Sequence, residues 1–301
     1  MRLSGRIGSL PAGNFCWFSI VEPSSFAALM LPGATYAWNL IREGKTRFLL
    51  AEVWVRIYKQ LHEWLFHLRF RVFSKLPPPA DFQIRLETKT PIAFESPDHL
   101  NPWGTMRDNS THKKFVTFMA DRIRSEHPSA TLGSLDLGCS GGQLVRDFRD
   151  LGWLAVGLEG SDYSLKHKRA NWPELAGKNL FTCDITKPFQ IFSKGDPARF
   201  HLITSWEVLE HIHPNDHGML FTNIVKHLVP GGYFIASTTS EPDVHNGVDL
   251  HQTKWINREW KTNLAKTFPM LEPVDLGLKT YQFVRHNEEG SFLVYRRKPS
   301  D

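Results

Sequence analysis

From residue 132 onward, short apolar runs alternate with amphipathic stretches. Residues 132–137 form an apolar run of strand length, and residues 143–149 place Leu144, Val145 and Phe148 on one helical face. Between them lies Gly138-Cys139-Ser140-Gly141-Gly142. This is strand, glycine-rich turn, helix, a place where backbone can approach a ligand and a helix start offers unpaired N–H groups. Residues 153–158, 180–183, 200–204 and 233–237 read as further strands, separated by helical segments. Such alternation predicts an α/β fold, a parallel sheet with helices on both faces. Ligands in such sheets sit beyond the carboxyl ends of the strands. Gly138, Glu159, Asp184 and Glu207 all fall at those ends.

Upstream the pattern changes. Leu50, Trp54, Ile57, Leu61, Trp64, Leu65, Leu68 and Val72 recur at helical spacing with Glu52, Arg56, Lys59, Glu63 and His67 opposite, which predicts a long amphipathic helix over 47–75. Pro77, Pro78 and Pro79 end it. Residues 1–80 therefore read as an extension whose helix packs on the rest of the chain, forms a homodimer or lies on a membrane surface. Residues 81–114 read as a cap or linker, and residues 115–301 as the main domain. Within the cap, residues 95–111 are dense in polar and aromatic side chains. Asp108, Asn109 or Ser110 is expected to cap a helix over 111–124 whose Phe115, Phe118, Met119 and Ile123 face inward. The first forty residues are broken by Pro and Gly, and no run there is long enough to span a bilayer. Arg2 and Arg6 hint at a transit segment, which Glu22 and the lack of an amphipathic pattern oppose.

Composition sharpens this only at two points. The +5 net charge resides in the extension, where ten Lys/Arg face four Glu and no Asp, whereas the remaining chain has 26 Lys/Arg against 27 Asp/Glu. The main domain therefore lacks the electrostatic footprint of a DNA binder. The three cysteines, Cys16, Cys139 and Cys183, have no paired spacing and read as reduced, in keeping with a cytoplasmic protein.

Glu159 follows Gly138 by 21 residues, a spacing that also suits a dinucleotide fold. The additional acid Asp184 and the cluster Glu207, Glu210 and His211 after the fourth strand separate this chain from that class. The combination of Asp136, Gly138, Ser140 and Gly142, then Glu159, Asp184, the stretch 208–212 (Val-Leu-Glu-His-Ile) and the turn 228–232 (Leu-Val-Pro-Gly-Gly) resembles the class I S-adenosylmethionine-dependent methyltransferases. The likeness extends from about Phe115 to Arg297, with Ser140 where the middle glycine of the family's loop usually stands. It implies a Rossmann-like fold with a seven-stranded, mostly parallel sheet, that Asp136, Gly138, Ser140, Gly142 and Ser205 border the cofactor, that Glu159 holds the ribose hydroxyls and that Asp184 faces the adenine amino group.

In the transfer itself, His211, Glu207 and His251 are the candidate catalytic residues. At i, i+3, i+4 spacing Glu207, Glu210 and His211 are expected on one helical face, where they suit a divalent cation such as Mg2+. The arrangement is similar to metal-assisted O-methyltransferases and to small-RNA 3′-terminal 2′-O-methyltransferases, and the latter resemblance implies that His251 completes the metal site. His251 has a second reading, as the cap of a helix over 257–265. His213, His217 and His227 share no face and read as solvated, Trp255 and Trp260 as core or rim, and Tyr281, Phe283 and Arg285 as a border of the acceptor pocket. The expected activity is O-methylation of a small-molecule or glycan-like acceptor, the alternatives being RNA-end methylation and a non-catalytic cofactor-binding module that recruits a partner through the 47–75 helix.

Overall fold

The computed structural model describes residues 81–279, 282–284 and 292–299 and the isolated positions 42, 44, 46 and 61. The predicted 47–75 helix, Tyr281 and Arg285 lie outside the described residues. The strands and helices named below all belong to the compact unit Lys75–Asp301. Among the described residues no helix is long and apolar enough to cross a membrane.

In chain order the elements are β1 (Ile84–Thr88), α1 (Pro97–Leu100), α2 (Trp103–Arg107), α3 (Lys113–Glu126), β2 (Gly133–Leu137), α4 (Gln143–Asp150) and β3 (Leu154–Glu159). Then come α5 (Tyr163–Lys166), α6 (Trp172–Leu175), β4 (Leu180–Thr182), β5 (Phe189–Ser193), β6 (Asp196–Pro197) and β7 (Phe200–Trp206). The remainder is α7 (His217–His227), β8 (Leu228–Ser237), β9 (Val244–His245), β10 (Val248–Asp249), α8 (Asn257–Thr267), β11 (Leu271–Pro273) and β12 (Phe292–Arg297).

Seven strands form one sheet in the order β11-β12-β8-β7-β2-β3-β4. The pairs β2 with β3, β3 with β4, β2 with β7 and β7 with β8 are parallel, while β12 runs antiparallel to both β8 and β11. Every residue of β2, β3 and β7 is buried, as strands covered on both faces require. Strand order reverses between β2 and β7, and the crevice outside their carboxyl ends is where such a sheet accepts a ligand. A small antiparallel sheet, β1-β5-β6, has no counterpart in the sequence pattern; it pairs the segment 84–88 with 189–193.

Helix α3 starts two residues later than expected. His112, not Asp108, Asn109 or Ser110, is its N-cap, its Nδ1 accepting from the Phe115 N–H, while Asp108 Oδ1 instead accepts from the Ser110 N–H at 3.2 Å. Its inward face holds Phe115, Met119 and Ile123 as expected, with Val116 and Ala120 in place of Phe118.

The expectation that His217 and His227 are solvated is corrected: both are buried. His227 Nδ1 donates to the Asn223 carbonyl at 2.8 Å, its Nε2 accepts from the Ile191 N–H, and its ring stacks on Phe189 at 4.7 Å. That pattern needs a neutral ring, because a proton on Nε2 would face another donor. Burial lowers the pKa of His201, His217 and His227 to about 4. Below an unfolded-state pKa of about 6.5 the unfolded chain binds protons that the folded one refuses, so stability falls as pH drops from about 6.5 to about 4. For His227 alone the loss is on the order of 2–3 kcal/mol. Thermal melts at pH 7 and pH 5 are expected to differ by several degrees, and His227→Gln to reduce that difference; an unchanged slope in the variant would exclude this origin.

Candidate active site

The turn after β2 is shaped by packing as much as by any ligand. The Gly138 N–H donates to the Leu158 carbonyl at 2.8 Å, and its φ of +74° leaves no room for a Cβ, which would overlap Val208 Cγ2. Gly142, at φ +80°, opens α4, and a Cβ there would press on Leu180 Cδ1 at 2.6 Å. Ser140 takes the left-handed conformation too, at φ +45°, although it carries a side chain. Its hydroxyl donates to the Asp108 carbonyl at 2.8 Å.

Glu159 stands at the end of β3, buried, with Oε2 accepting from the Ser140 N–H at 2.7 Å and Oε1 from the Ser161 N–H at 3.2 Å and the Thr105 hydroxyl at 3.4 Å. Burial raises its pKa against the pull of these donors. Asp184, just past β4, accepts from the Thr186 N–H at 2.9 Å and the Thr186 hydroxyl at 2.6 Å. Gly138, Ser140, Glu159, Asp184, Glu207, His211 and His251 all line one cavity of about 610 Å3. The sheet thus gathers most of the residues selected from sequence.

Asp136, Gly142, Ser205 and Glu210 are not in that wall. Asp136 Oδ1 accepts from the hydroxyl of Thr204, its register partner on β7, at 2.7 Å, and burial pushes its pKa to about 7. Ser205 is wholly enclosed in the sheet. Phe283 is also buried, stacked on Phe292 at 4.0 Å and beside Phe115 and Trp206, so it packs behind the site instead of bordering it. Trp260 belongs to the core, as expected.

The shared helical face of Glu207, Glu210 and His211 is corrected. Glu207 leaves β7 at φ +55°, its N–H donating to Ser237 Oγ at 3.2 Å, and only a single helical turn, Leu209–His211, follows. The left-handed residue breaks the helical phase. What the tertiary structure assembles is Glu210, His211 and His251, whose ligand atoms lie within 4.8 Å of one another. Glu210 is fully buried, and no side chain donates a hydrogen bond to its carboxyl group. Burial first, then Glu207, raises its pKa to about 8.

His211 Nδ1 is 2.9 Å from Asp98 Oδ2. Burial opposes charge on this ring, but Asp98, Glu210 and Asp243 outweigh it and bring its pKa to about 9. His251 Nδ1 donates to the Glu241 carbonyl, and its ring meets His211 edge-on at 4.6 Å. It caps no helix: the N-cap of α8 is Ile256, whose N–H is taken by Glu259. Each imidazole is thus oriented through Nδ1.

Sequence reasoning missed Asp98, Thr105 and Arg169 as parts of the site. The polar density of residues 95–111 was the only local signal of the first two, and Arg169 had none.

A family profile described as a methyltransferase domain matches residues 93–281 and so includes the cap from residue 93 onward. No curated protein matches the chain. Among solved structures, the 1,6-didemethyltoxoflavin-N1-methyltransferase of Burkholderia thailandensis, with bound 1,6-didemethyltoxoflavin and S-adenosylhomocysteine, is 18% identical, with 67% of this chain and 84% of that one covered and a TM-score of 0.45. CalS10, an S-adenosylmethionine-bound amino pentose methyltransferase from Micromonospora echinaspora, is 16% identical over 66% of this chain and 96% of that one, with a TM-score of 0.43. An S-adenosylmethionine-dependent methyltransferase from Clostridium acetobutylicum is 15% identical over 67% and 98%, with a TM-score of 0.45.

Proposed function

Because the chain belongs to the methyltransferase-domain family, we propose that its cavity holds S-adenosylmethionine and that the enzyme methylates an oxygen of a small-molecule or glycan-like acceptor. The observation that supports this reading best is the convergence of Gly138, Ser140, Glu159 and Asp184 with Glu207, His211 and His251 on one cavity at the strand ends. The residues fit the cofactor: a Cβ-free approach at Gly138, a buried acceptor for the ribose hydroxyls at Glu159 and an acceptor for the adenine amino group at Asp184. When bound, S-adenosylmethionine supplies a methyl group on a sulfonium, open to in-line displacement.

The chain's own contribution is to orient the acceptor and exclude water. Such positioning supplies up to roughly 7–11 kcal/mol in the best-aligned cases. Glu207 and His251 are the groups at hand to receive the acceptor's proton, while His211, with a pKa of about 9, carries its own near neutral pH. Glu95, Asp98, Asp184, Asp216, Glu241 and Asp243 also face the cavity, with Lys187 paired to Asp216 at 3.2 Å. That acid-rich wall opposes a polyanionic acceptor and weakens the RNA alternative.

Calorimetric titration with S-adenosylhomocysteine, with NAD as control, is the first test. One-site binding of the former is expected; binding of NAD alone would sink the reading.

A second element is a divalent cation, Mg2+ or a relative, held by Glu210, His211 and His251. The meeting of Glu210, His211 and His251, whose ligand atoms lie within 4.8 Å of one another, favours it. Such a cation would draw in vicinal acceptor oxygens and lower the pKa of a bound hydroxyl. Glu210→Gln keeps the shape of the buried side chain and removes its ability to ionise and bind a cation as a carboxylate. The variant is expected to melt no lower than the parent yet to lose about a hundredfold or more in transfer, and EDTA to inhibit the parent. Full activity of Glu210→Gln in EDTA would exclude the cation.

A further inference from the structure

The glycine turn and the cap are joined by a side chain to which no role has been assigned. Arg169 lies between α5 and α6, and both its neighbours, Lys168 and Ala170, are left-handed at φ +49°. Side chains other than glycine's disfavour that conformation, so a pair of them flanking one residue marks a loop whose shape is imposed by its contacts. Those contacts are dense. The Arg169 N–H donates to the Ser164 carbonyl at 2.9 Å, the Asn171 N–H to the Gly141 carbonyl at 3.1 Å, and Trp172 Nε1 to the Ser140 carbonyl at 2.7 Å. The loop therefore braces the glycine turn from one side.

From that brace the Arg169 guanidinium reaches the cap on the other side. Its Nε donates to the Thr105 carbonyl at 2.9 Å, and Nη2 donates to the Asp108 carbonyl and approaches Ser140 Oγ at 3.3 Å. Ser140 passes the grip on through its own bond to the Asp108 carbonyl. Next in the chain, Asn109 Oδ1 accepts from the Gln143 N–H at 3.1 Å, supplying the cap that α4 lacks on its own Gly142. A Cβ on Gly141 would collide with Asn109 and meet Arg169 Nη1 at 2.8 Å, so glycine is required where cap and clamp close. Gly104, Thr105 and Asp108 share the cavity wall with Ser140 and Glu159, and the Thr105 hydroxyl reaches Glu159 itself. A planar fork with several donors can take two carbonyls and a hydroxyl together, which a lysine cannot.

We propose that Arg169 is a positioning residue which, with Ser140, holds α2 closed over the Glu159 end of the cavity and so sets how long the bound cofactor stays. The inference rests on the proposal that the cavity holds S-adenosylmethionine. It also explains the serine in the turn: the left-handed Ser140 is retained for a hydroxyl that ties the turn to the cap.

The experiment is hydrogen exchange on the full-length, cofactor-free protein together with stopped-flow dissociation of S-adenosylhomocysteine, for the parent, R169A, R169K and S140A. In R169A the amides of residues 103–108 are expected to exchange about ten- to a hundredfold faster with β2 and β3 unchanged, and ligand dissociation to quicken by a similar factor with association nearly constant. R169K and S140A should fall between R169A and the parent. If R169A does not fold, R169K carries the test. A folded variant whose cap exchanges and whose ligand dissociates as in the parent overturns the proposal. Failure of the parent to bind S-adenosylhomocysteine overturns the cofactor reading instead, while the exchange measurement still decides whether Arg169 holds the cap.

Discussion

Gly138→Ala is expected to abolish S-adenosylhomocysteine binding and to lower stability by about 2–4 kcal/mol. Two costs combine. The φ of +74° disfavours any Cβ by about 1 kcal/mol, and the new methyl overlaps Val208 in a packed interior, where overpacking adds about 1–3 kcal/mol. Val208 packs against the core, so the strain falls on the glycine turn itself. Because that turn bears both Ser140 and the path to Glu159, displacing it removes the ligand's seat. Denaturant unfolding and calorimetry measure the two losses. The double variant Gly138→Ala, Val208→Ala relieves the overlap but not the backbone conformation, and should recover part of the stability. Binding within a few-fold of the parent in Gly138→Ala would show that the turn does not contact the cofactor.

Glu159→Gln is expected to weaken S-adenosylhomocysteine about a hundredfold or more. Hydrogen bonds to a charged acceptor contribute about 1.5–3 kcal/mol each, and the ribose offers two hydroxyls. The substitution also turns an amide NH2 toward a site already filled by the Ser140 and Ser161 N–H donors, so one donor must lose its partner. The same geometry gives a pH dependence. Burial raises the Glu159 pKa above the ordinary carboxylate value, and the carboxylate is the binding form. Affinity should hold at neutral pH and be lost on acidification, at a higher pH than an ordinary glutamate would give, and Glu159→Gln should abolish this dependence. A parent whose affinity is flat down to pH 4 would rule out the ionised Glu159 as a binding group.

These expectations begin from residues that were legible along the chain. The runs at 132–137, 153–158 and 200–204 proved to be β2, β3 and β7 within a residue or two because each is buried on both faces, and a strand so placed can hardly be anything but continuously apolar. Gly138 and Glu159 were legible for a related reason. Backbone that must turn beside a ligand selects glycine, and the carboxyl end of a parallel strand is where a lone acid after an apolar run must emerge.

Other features had no local signature. His227 looks solvated in sequence because an imidazole on an amphipathic helix carries no mark of burial; only the approach of Ile191 and Phe189 makes it a neutral core residue. The spacing of Glu207, Glu210 and His211 presupposes a helix, and the left-handed Glu207 denies it one.

Alternation of apolar and amphipathic segments, which depends only on neighbours along the chain, was sufficient for the five parallel strands of the main sheet and the acids at their ends, but not for the antiparallel β12 and β11. The meeting of Glu210 and His211 with His251, of Asp98 with His211, and of Arg169 with Thr105, Asp108 and Ser140 depends on segments separated by about thirty to over a hundred residues. Such contacts are selected by the three-dimensional packing of loops whose own sequences permit many conformations, and they became visible only once the folded chain had closed around the cavity.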